Sequence, residues 1–264
     1  MLLQRILSAL LLIPAFLLLV QFGSPFHFSL LVGVAILLGS WEFARLCPAG
    51  TDAWCTLLTV LGALAWQAAL LAGAGQGALP LALAGLALAR VLAAKGELRV
   101  GVVRAAWVVF GMAYVGGLMG TASLLRAAPD GQQWIYYLTF ITWAGDSGAY
   151  FVGSRFGRRP LAPRVSPKKT WEGTLGGTAA TVLVAIAGSG FLWPRLPWAV
   201  AAAVGILLAV AGLLGDLAES AIKRAAGVKD SGALIPGHGG VLDRLDSLMF
   251  AAPVLYGLVW VGWV

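Results

Sequence analysis

Long apolar runs separated by short polar loops occupy the whole chain. A helix that crosses about 30 Å of hydrocarbon needs about 20 apolar residues, and most of the runs reach that length. The fourth run is short and rich in Gly and Ala, so eight helices is the alternative to nine. We predict an all-α, polytopic integral membrane protein with about nine transmembrane helices, at residues 2–22, 26–46, 54–73, 78–94, 104–126, 133–152, 174–193, 197–215 and 241–262.

The first run carries one positive charge, Arg5, near its start, a pattern that secretory signal peptides share. Its apolar part is long and no A-x-A cleavage site follows it, so we interpret it as the first membrane helix. We divide the chain into N-terminal transmembrane helices at 1–130 and a C-terminal transmembrane catalytic region at 131–264. The second region has predicted cytoplasmic loops at 153–173 and 216–240.

The composition excludes an ordinary soluble protein. Of the 264 residues, 60% are hydrophobic and 11% are charged, whereas soluble domains carry about 25% charged residues. The many Trp and Gly residues fit membrane helices, since Trp favours the interfaces and small residues allow close helix packing. Cys47 and Cys55 have neither CxxC spacing nor an accompanying His, so we expect free thiols.

The positive charges are unevenly placed, with a formal net charge of +7. If the N-terminus is inside, every Lys and Arg except Arg126 and Arg195 falls on the inner side, as the positive-inside rule requires. Topology and anionic headgroups explain the basic character, and we expect no nucleic-acid partner. We predict that the protein lies in the cell's inner or plasma membrane, in contact with membrane lipid.

Two inner segments, residues 145–173 and 215–247, are much richer in polar groups than the rest of the chain. The predicted outer loops, QFGSPFH, AGAGQGA and WPRLP, are short and chemically bland. We therefore place any chemistry on the cytoplasmic face.

The end of the eighth predicted helix carries one stripe of polar side chains. Asp216, Glu219 or Ser220, and Lys223 are spaced by one and two helical turns, so a carboxylate, a hydroxyl and an ammonium line one side. A solvated helix face with salt bridges is the alternative interpretation.

The segment GHGGVLDRLDS, residues 237–247, leads into the last predicted helix. Asp243 and Asp246 are three residues apart and share one helix face, while the glycines before them let the backbone approach a ligand. The helix dipole would stabilise one such carboxylate. It does not account for Asp216, Lys223 and further basic side chains on the same membrane face.

The residue types in these two segments indicate one kind of chemistry. Clustered carboxylates with few soft ligands suit Mg²⁺, which takes one or two protein carboxylates and adds water and substrate phosphate. Nearby Lys and Arg suit the phosphates. One His without Cys argues against zinc. Together these residues predict a phosphoryl-transfer site.

A second polar cluster surrounds Asp146, which interrupts an apolar helix near its inner end. An acid in a membrane helix is a functional candidate, with pairing to an Arg of a neighbouring helix as the alternative.

The segment SPKKTWEG contains further candidates. Ser166 is expected to cap a turn, and Lys169 and Thr170 are expected to bind phosphate. Glu172 is expected to orient Lys169 or Thr170. No Walker A loop is present. Three basic residues of the loop are interpreted as anchors to anionic lipid: Arg158, Arg159 and Arg164.

The segment SAIKRAAGVKDSGALIPGHGGVLDRLDS, residues 220–247, resembles the signature of the phosphatidate cytidylyltransferases, the CDP-diacylglycerol synthases. GDSGAYFVGSRFG and SPKKTWEG resemble the same family, with Lys168 where many members carry Gly. The resemblance covers roughly residues 143–177 and 212–250, and the N-terminal half is similar only in being hydrophobic. The fixed positions of the signature in this chain are Ser220, Lys223, Arg224, Lys229, Asp230, Pro236, His238, Gly239, Gly240, Asp243, Arg244 and Asp246.

This resemblance implies an integral membrane enzyme that uses Mg²⁺, with or without a second cation. The implied reaction converts CTP and phosphatidate into CDP-diacylglycerol and pyrophosphate. The resemblance also implies an all-helical fold, a site that faces the cytoplasm, and a homodimer.

The candidate residues divide by role. Catalytic roles are predicted for Asp216, Lys223, Asp243, Arg244 and Asp246. Metal ligation is expected from Asp216 and Asp243 first, and then from Asp246. Contacts to substrate and its phosphates are expected from Ser220, Arg224, Lys229, His238, Gly239, Gly240, Ser166, Lys169 and Thr170, with loop organisation as the alternative for His238. Supporting roles are expected for Asp146 and Glu172.

Two other functions fit parts of the pattern. A CTP-dependent lipid kinase would use similar metal and basic residues but would attack the γ-phosphorus of CTP, and only the resemblance disfavours it. A transporter with Asp146 and Asp216 in an ion relay would need acids at mid-membrane depth and pathways to both faces. The predicted positions of the acids, at inner helix ends, argue against a transporter.

Overall fold

The protein is described from a computed structural model that covers residues 2–73, 77–93, 96–191, 196–234 and 239–264. The described chain is helical apart from one short hairpin, which confirms the all-α prediction. The helices are α1 (Leu2–Phe22), α2 (Pro25–Arg45), α3 (Ala53–Ala72), α4 (Ala78–Ala93), α5 (Leu98–Gly111), α6 (Leu118–Ala127), α7 (Gly131–Phe156), α8 (Trp171–Phe191), α9 (Trp198–Ala225) and α10 (Leu242–Trp260). The antiparallel hairpin consists of β1 (Pro160–Ala162) and β2 (Ser166–Thr170).

Several helices have the length and composition of membrane spans. Among the described residues, five segments are long and apolar enough to cross a membrane, and two further apolar helices are shorter, Leu10–Phe22 and Ala78–Ala93. These properties fit a membrane protein, while the total of nine spans remains a prediction. The five long segments are Pro25–Arg45, Ala53–Ala72, Leu98–Ala127, Trp171–Gly190 and Trp198–Ala225.

The chain divides into two compact units. Unit 1 comprises Met1–Leu124 and Ala225–Leu245, and unit 2 comprises Leu125–Arg224 and Asp246–Val264. Each unit therefore contains residues from both halves of the sequence.

In unit 1, α2 packs against α3, α5 and a π-helical turn (Met112–Gly117) that joins α5 to α6. Phe43 stacks on Trp107 with ring centroids 4.8 Å apart, and the Trp107 indole N–H donates to the Phe43 carbonyl at 3.0 Å. Close approach depends on small residues, since a methyl group at Gly116 would overlap the backbone of Ala63. The helix predicted at 104–126 is thus two α-helices joined by a π turn.

At the start of α3, Asp52 is the N-cap and its carboxylate accepts the Cys55 N–H at 2.8 Å. The Arg90 guanidinium pairs with the same carboxylate at 2.9 Å. Burial by itself would raise the pKa of Asp52, but the Cys55 N–H and Arg90 outweigh it and lower the pKa from 3.8 to about 2. The loop before α3 is therefore held by an ionised carboxylate.

In unit 2, α7 and α8 approach closely through glycines. A methyl group at Gly145 would contact the Thr181 hydroxyl at 2.6 Å, and one at Gly148 would lie 2.6 Å from the Ala180 Cβ. Small-residue contacts of this kind are typical of membrane helix pairs. This close pair supports the β1–β2 hairpin, which connects α7 to α8.

Candidate functional site

Predicted site residues occur in two groups of polar side chains, one in each unit. The first, which we call the acid–base cluster, consists of Lys169, Asp216, Glu219, Lys223 and Asp246 in unit 2. The second lies around the α9–α10 loop, which is described at residues 226–234 and 239–241, in unit 1. Each group is built by contacts within its own unit.

In the acid–base cluster, Asp216 on α9 forms an ion pair with Lys169 of β2. The Ser220 hydroxyl, one turn along α9, donates to the other oxygen of the Asp216 carboxylate at 3.3 Å. The side chains of Lys169 and Asp216 remain 24% and 30% exposed, so the pair is accessible to a ligand. The predicted stripe on the eighth helix is therefore present. Its Asp216 pairs with Lys169, which comes from a different polar segment of the sequence.

Glu219 and Lys223 form the deeper part of the cluster. The Glu219 side chain is fully buried, and the Lys223 Nζ lies 3.3 Å from its Oε1. Asp246 on α10 interacts electrostatically with Asp216 and Lys223. Three carboxylates and two ammonium groups therefore converge in unit 2. The sequence prediction offered Glu219 only as an alternative to Ser220 in the stripe and did not include it among the site residues.

The close approach of α9 and α10 at Gly215 allows this convergence. A methyl group at Gly215 would overlap the main-chain carbonyl of Asp246, and one at Gly212 would meet Ser247 at an ordinary contact distance of 3.5 Å. Because Gly215 has no side chain, α10 can lie directly on α9 there. That contact brings Asp246 against the acidic face of α9.

Hydrogen bonds hold both ends of the hairpin that carries Lys169. Glu172 accepts the main-chain N–H groups of Arg158 at 3.0 Å and Arg159 at 3.2 Å. The Thr170 hydroxyl accepts the Gly173 N–H at 3.1 Å and so caps the start of α8. In this structure Thr170 and Glu172 thus position the hairpin. The contact to phosphate predicted for Thr170 and the supporting role predicted for Glu172 remain predictions.

In unit 1, Asp243 organises the α9–α10 loop. Its Oδ2 accepts the Ser231 N–H and hydroxyl, both at 3.0 Å, and the Gly240 N–H at 2.8 Å. Gly239 has a φ of +83°, and a Cβ there would lie 2.8 Å from the same carboxylate oxygen. Only glycine combines that backbone conformation with such close contact. The glycines predicted to approach a ligand therefore also pack against Asp243.

A second carboxylate holds this loop, and the sequence analysis missed it. Glu42 on α2 is 1% exposed, and it accepts the Val241 N–H at 3.1 Å and the Leu242 N–H at 2.9 Å. The Ser231 hydroxyl, whose single proton is shared with Asp243, lies 3.2 Å from the Glu42 carboxylate. An acid inside an otherwise apolar predicted helix is the signal that singled out Asp146, and it applies equally to Glu42.

The other predicted site residues are not members of the acid–base cluster. Arg224 Nε donates to the Val165 carbonyl at 3.3 Å, and Ser166 begins β2 opposite Ala162. Asp146 lies on α7 with an exposed side chain. Lys229 and Arg244 are exposed, and His238 lies outside the described residues.

The carboxylates suit a divalent cation only in part. Within the described ranges, no three His, Cys, Asp or Glu side chains are arranged to hold a metal ion by themselves. Asp216 and Asp246 nevertheless offer oxygen ligands from two helices of one unit. Mg²⁺ commonly takes one or two protein carboxylates and fills its other positions with water and substrate phosphate. The donor set therefore fits Mg²⁺ bound together with a phosphate substrate.

Helices that are long and apolar enough to cross a membrane, together with a cluster of lysines and carboxylates in unit 2, fit a membrane protein with a charged site. A model of the cytidylyltransferase family matches residues 3–261 of this chain. The chain belongs to the cytidylyltransferase family and is a nucleotidyltransferase.

Individual relatives agree with this assignment. A phosphatidate cytidylyltransferase of Pseudomonas aeruginosa is 40% identical over 276 residues, which cover 100% of this chain and 99% of the relative. The phosphatidate cytidylyltransferase of Bacillus subtilis is 45% identical over 129 residues, or 49% of this chain and 48% of the relative. That of a Synechocystis species is 52% identical over 119 residues, or 44% of this chain and 40% of the relative.

Proposed function

We propose that this protein is a phosphatidate cytidylyltransferase that converts CTP and phosphatidate into CDP-diacylglycerol and pyrophosphate. The observation that carries the proposal is the full-length similarity to the Pseudomonas aeruginosa protein of that name. The acid–base cluster supports it, because nucleotidyl transfer needs cations near phosphates more than it needs a strong base.

In the proposed reaction, a phosphate oxygen of phosphatidate attacks the α-phosphorus of CTP, and the bond to pyrophosphate breaks. The nucleophile is already an anion, so the main barrier is the approach of two negatively charged groups. Lys169 and Lys223 are suited to lower that barrier, since both lie in the cluster and each now faces a carboxylate. Binding of substrate phosphate would give these ammonium groups a second anionic partner. Arg244 is proposed to contact phosphate as well.

We propose Mg²⁺ as the cofactor, with Asp216 and Asp246 as its protein ligands in unit 2. A bound Mg²⁺ would neutralise charge on the triphosphate as the transition state forms. Asp243 remains a further candidate ligand from the sequence. Its Oδ2 accepts three hydrogen bonds from the loop, so any ligation would fall to Oδ1. The Ser220 hydroxyl orients Asp216, as hydrogen-bonded neighbours of metal ligands commonly do.

We also propose an arrangement of the chain in the membrane. Nine spans with the N-terminus inside would place the acid–base cluster and the α9–α10 loop on the cytoplasmic face, where CTP is available. The support is the distribution of Lys and Arg along the sequence. We further propose that the protein lies in the inner or plasma membrane and that it acts as a homodimer.

The decisive experiment follows the label of CTP. Purified protein is incubated with phosphatidate, Mg²⁺ and CTP labelled either in the cytidine or in the γ-phosphate. Cytidine label in the lipid, together with release of pyrophosphate, is the expected result. Transfer of the γ-phosphate to lipid would instead identify a CTP-dependent lipid kinase. Absence of any labelled lipid from folded protein would refute the proposal. Omitting Mg²⁺, or replacing it with Ca²⁺, tests the cofactor separately.

A further inference from the structure

Glu42 lies far in sequence from every residue of the predicted site, yet it contacts the α9–α10 loop directly. Its carboxylate is buried in unit 1, where an ionisable group without hydrogen bonds would be strongly unfavourable. Three donors meet it, and all of them come from Ser231, Val241 and Leu242. The described hydrogen-bonding partners of the Glu42 carboxylate therefore all lie in one loop and at the start of α10.

Glu42 accepts hydrogen bonds from main-chain N–H groups at the start of α10. The N–H groups of Val241 and Leu242 lie at the N-terminal end of α10, where main-chain donors lack acceptors within the helix. One oxygen of Glu42 takes the Val241 N–H and the other takes the Leu242 N–H. A residue of α2 thus performs the capping role that a side chain next to the helix usually performs.

The loop sequence is fitted to this carboxylate. A methyl group at Gly232 would overlap Glu42, and all three of its nearest atoms would belong to the Glu42 side chain. A methyl group at Gly240 would lie 2.5 Å from Glu42 Oε2. Two glycines of the loop therefore leave the space that Glu42 fills.

Glu42 is also linked to Asp243. The Ser231 hydroxyl lies 3.2 Å from Glu42 and 3.0 Å from Asp243, so it bridges the two carboxylates. Gly240 donates its N–H to Asp243, and the next two N–H groups along the chain go to Glu42. The position of Asp243 therefore depends on the same short segment that Glu42 holds.

We propose that Glu42 is a positioning residue of the enzyme, which fixes the α9–α10 loop and the first turn of α10 so that Asp243 is correctly placed for turnover. The catalytic part of this inference rests on the proposed function. The placement of the loop by Glu42 can be measured without any activity. A residue that acts through the orientation of another commonly changes activity by about 10- to 100-fold when it is replaced.

The first test compares Glu42→Gln with Glu97→Gln in the purified full-length protein. Glu97 is an exposed glutamate of the same unit whose side chain makes no capping hydrogen bond, so it is a matched control. In Glu42→Gln one carboxylate oxygen becomes an amide donor that faces a main-chain N–H. We expect kcat per folded molecule to fall about 10- to 100-fold and the amides of residues 239–243 to exchange faster, with no change in the control.

A second test uses Gly232→Ala, Glu42→Ala and the double variant. Gly232→Ala should lower turnover because its methyl group meets Glu42. In the Glu42→Ala background that obstacle is gone, so the double variant should be no less active than Glu42→Ala alone. Losses that multiply instead would show that the methyl group does not act through Glu42, and they would overturn the inference.

Two other results of the Glu42→Gln test would also overturn the inference. Unchanged kcat and unchanged exchange in Glu42→Gln would overturn the inference. A purely structural role would lower the folded fraction and leave the kcat of the remaining folded molecules intact, which would also overturn it. If the unmodified protein made no CDP-diacylglycerol, the proposed function would fail, and amide exchange would still show whether Glu42 holds the loop.

Discussion

Replacing Gly215 with Ala tests whether the close contact between α9 and α10 matters for activity. Gly215 precedes Asp216, and an added methyl group would overlap the main-chain carbonyl of Asp246 and contact the Phe250 ring at 3.1 Å. The carbonyl belongs to a helix and cannot rotate away. The two helices would have to separate by roughly 1 Å to restore a normal carbon–oxygen distance.

The magnitudes follow from this displacement. Overpacking a fitted contact costs about 1 to 3 kcal/mol, whereas Ala in place of Gly within a helix stabilises it by about 1 kcal/mol. The net loss of stability should therefore be only about 0 to 2 kcal/mol. A shift of about 1 Å between Asp216 and Asp246 should cost turnover about 100-fold. Activity should thus fall far more than stability.

The assay measures cytidylyl transfer to phosphatidate and thermal unfolding in detergent for Gly215→Ala and for Gly212→Ala. A methyl group at Gly212 would lie 3.5 Å from the Ser247 Cβ, so this control should be at least as stable as the unmodified protein and equally active. If both variants showed equal and nearly normal turnover, the close contact at Gly215 would not control the site. A loss in Gly215→Ala that merely matched its loss of folded protein would refute the reasoning as well.

Three further predictions concern other parts of the chain. Asp243→Asn should give a folded protein whose turnover is lowered at least about 100-fold, because its loop contacts and its proposed metal contact both depend on the carboxylate; near-normal turnover with a verified fold would contradict this. Arg158→Gln with Arg159→Gln should change lipid association or topology and leave turnover nearly intact, since Glu172 binds main-chain N–H groups there; a collapse in turnover with topology unchanged would overturn their role as anchors. Asp52 has a pKa lowered to about 2 in the folded protein, so its stabilising effect should be fully present above about pH 4 and lost as the pH falls through about 2. The stability difference between the unmodified protein and Asp52→Asn should shrink over that range, and a constant difference would show that this carboxylate is not the group responsible.

The helices could be predicted from the sequence because each depends on a local apolar run. The first helix was placed at 2–22 and is found at Leu2–Phe22, and the second at 26–46 is found at Pro25–Arg45. The apolar span of the eighth is predicted at 197–215 with a helical stripe of polar residues after it, and α9 does continue to Ala225. Hydropathy detects where the chain becomes polar, whereas helical hydrogen bonds continue through Asp216 and Lys223.

Side-chain partners could not be predicted in the same way. The sequence identified Lys169 and Asp216 as candidates but placed them in separate segments, and only the structure pairs them. No motif in the sequence singles out Glu42, because the motifs that resemble the family all lie in the C-terminal half of the chain. Its partners are about 200 residues away, beyond any helical or strand periodicity.

The sequence by itself determined the membrane character, the helical fold and the kind of chemistry, since these depend on composition, local periodicity and residue type. The tertiary structure alone decided which carboxylate faces which cation and which acid holds the α9–α10 loop. The physical reason is that such pairs form where backbones approach closely, at Gly215 on α9 and at Gly232 beside Glu42. Those approaches depend on how distant segments pack, and no local pattern encodes them.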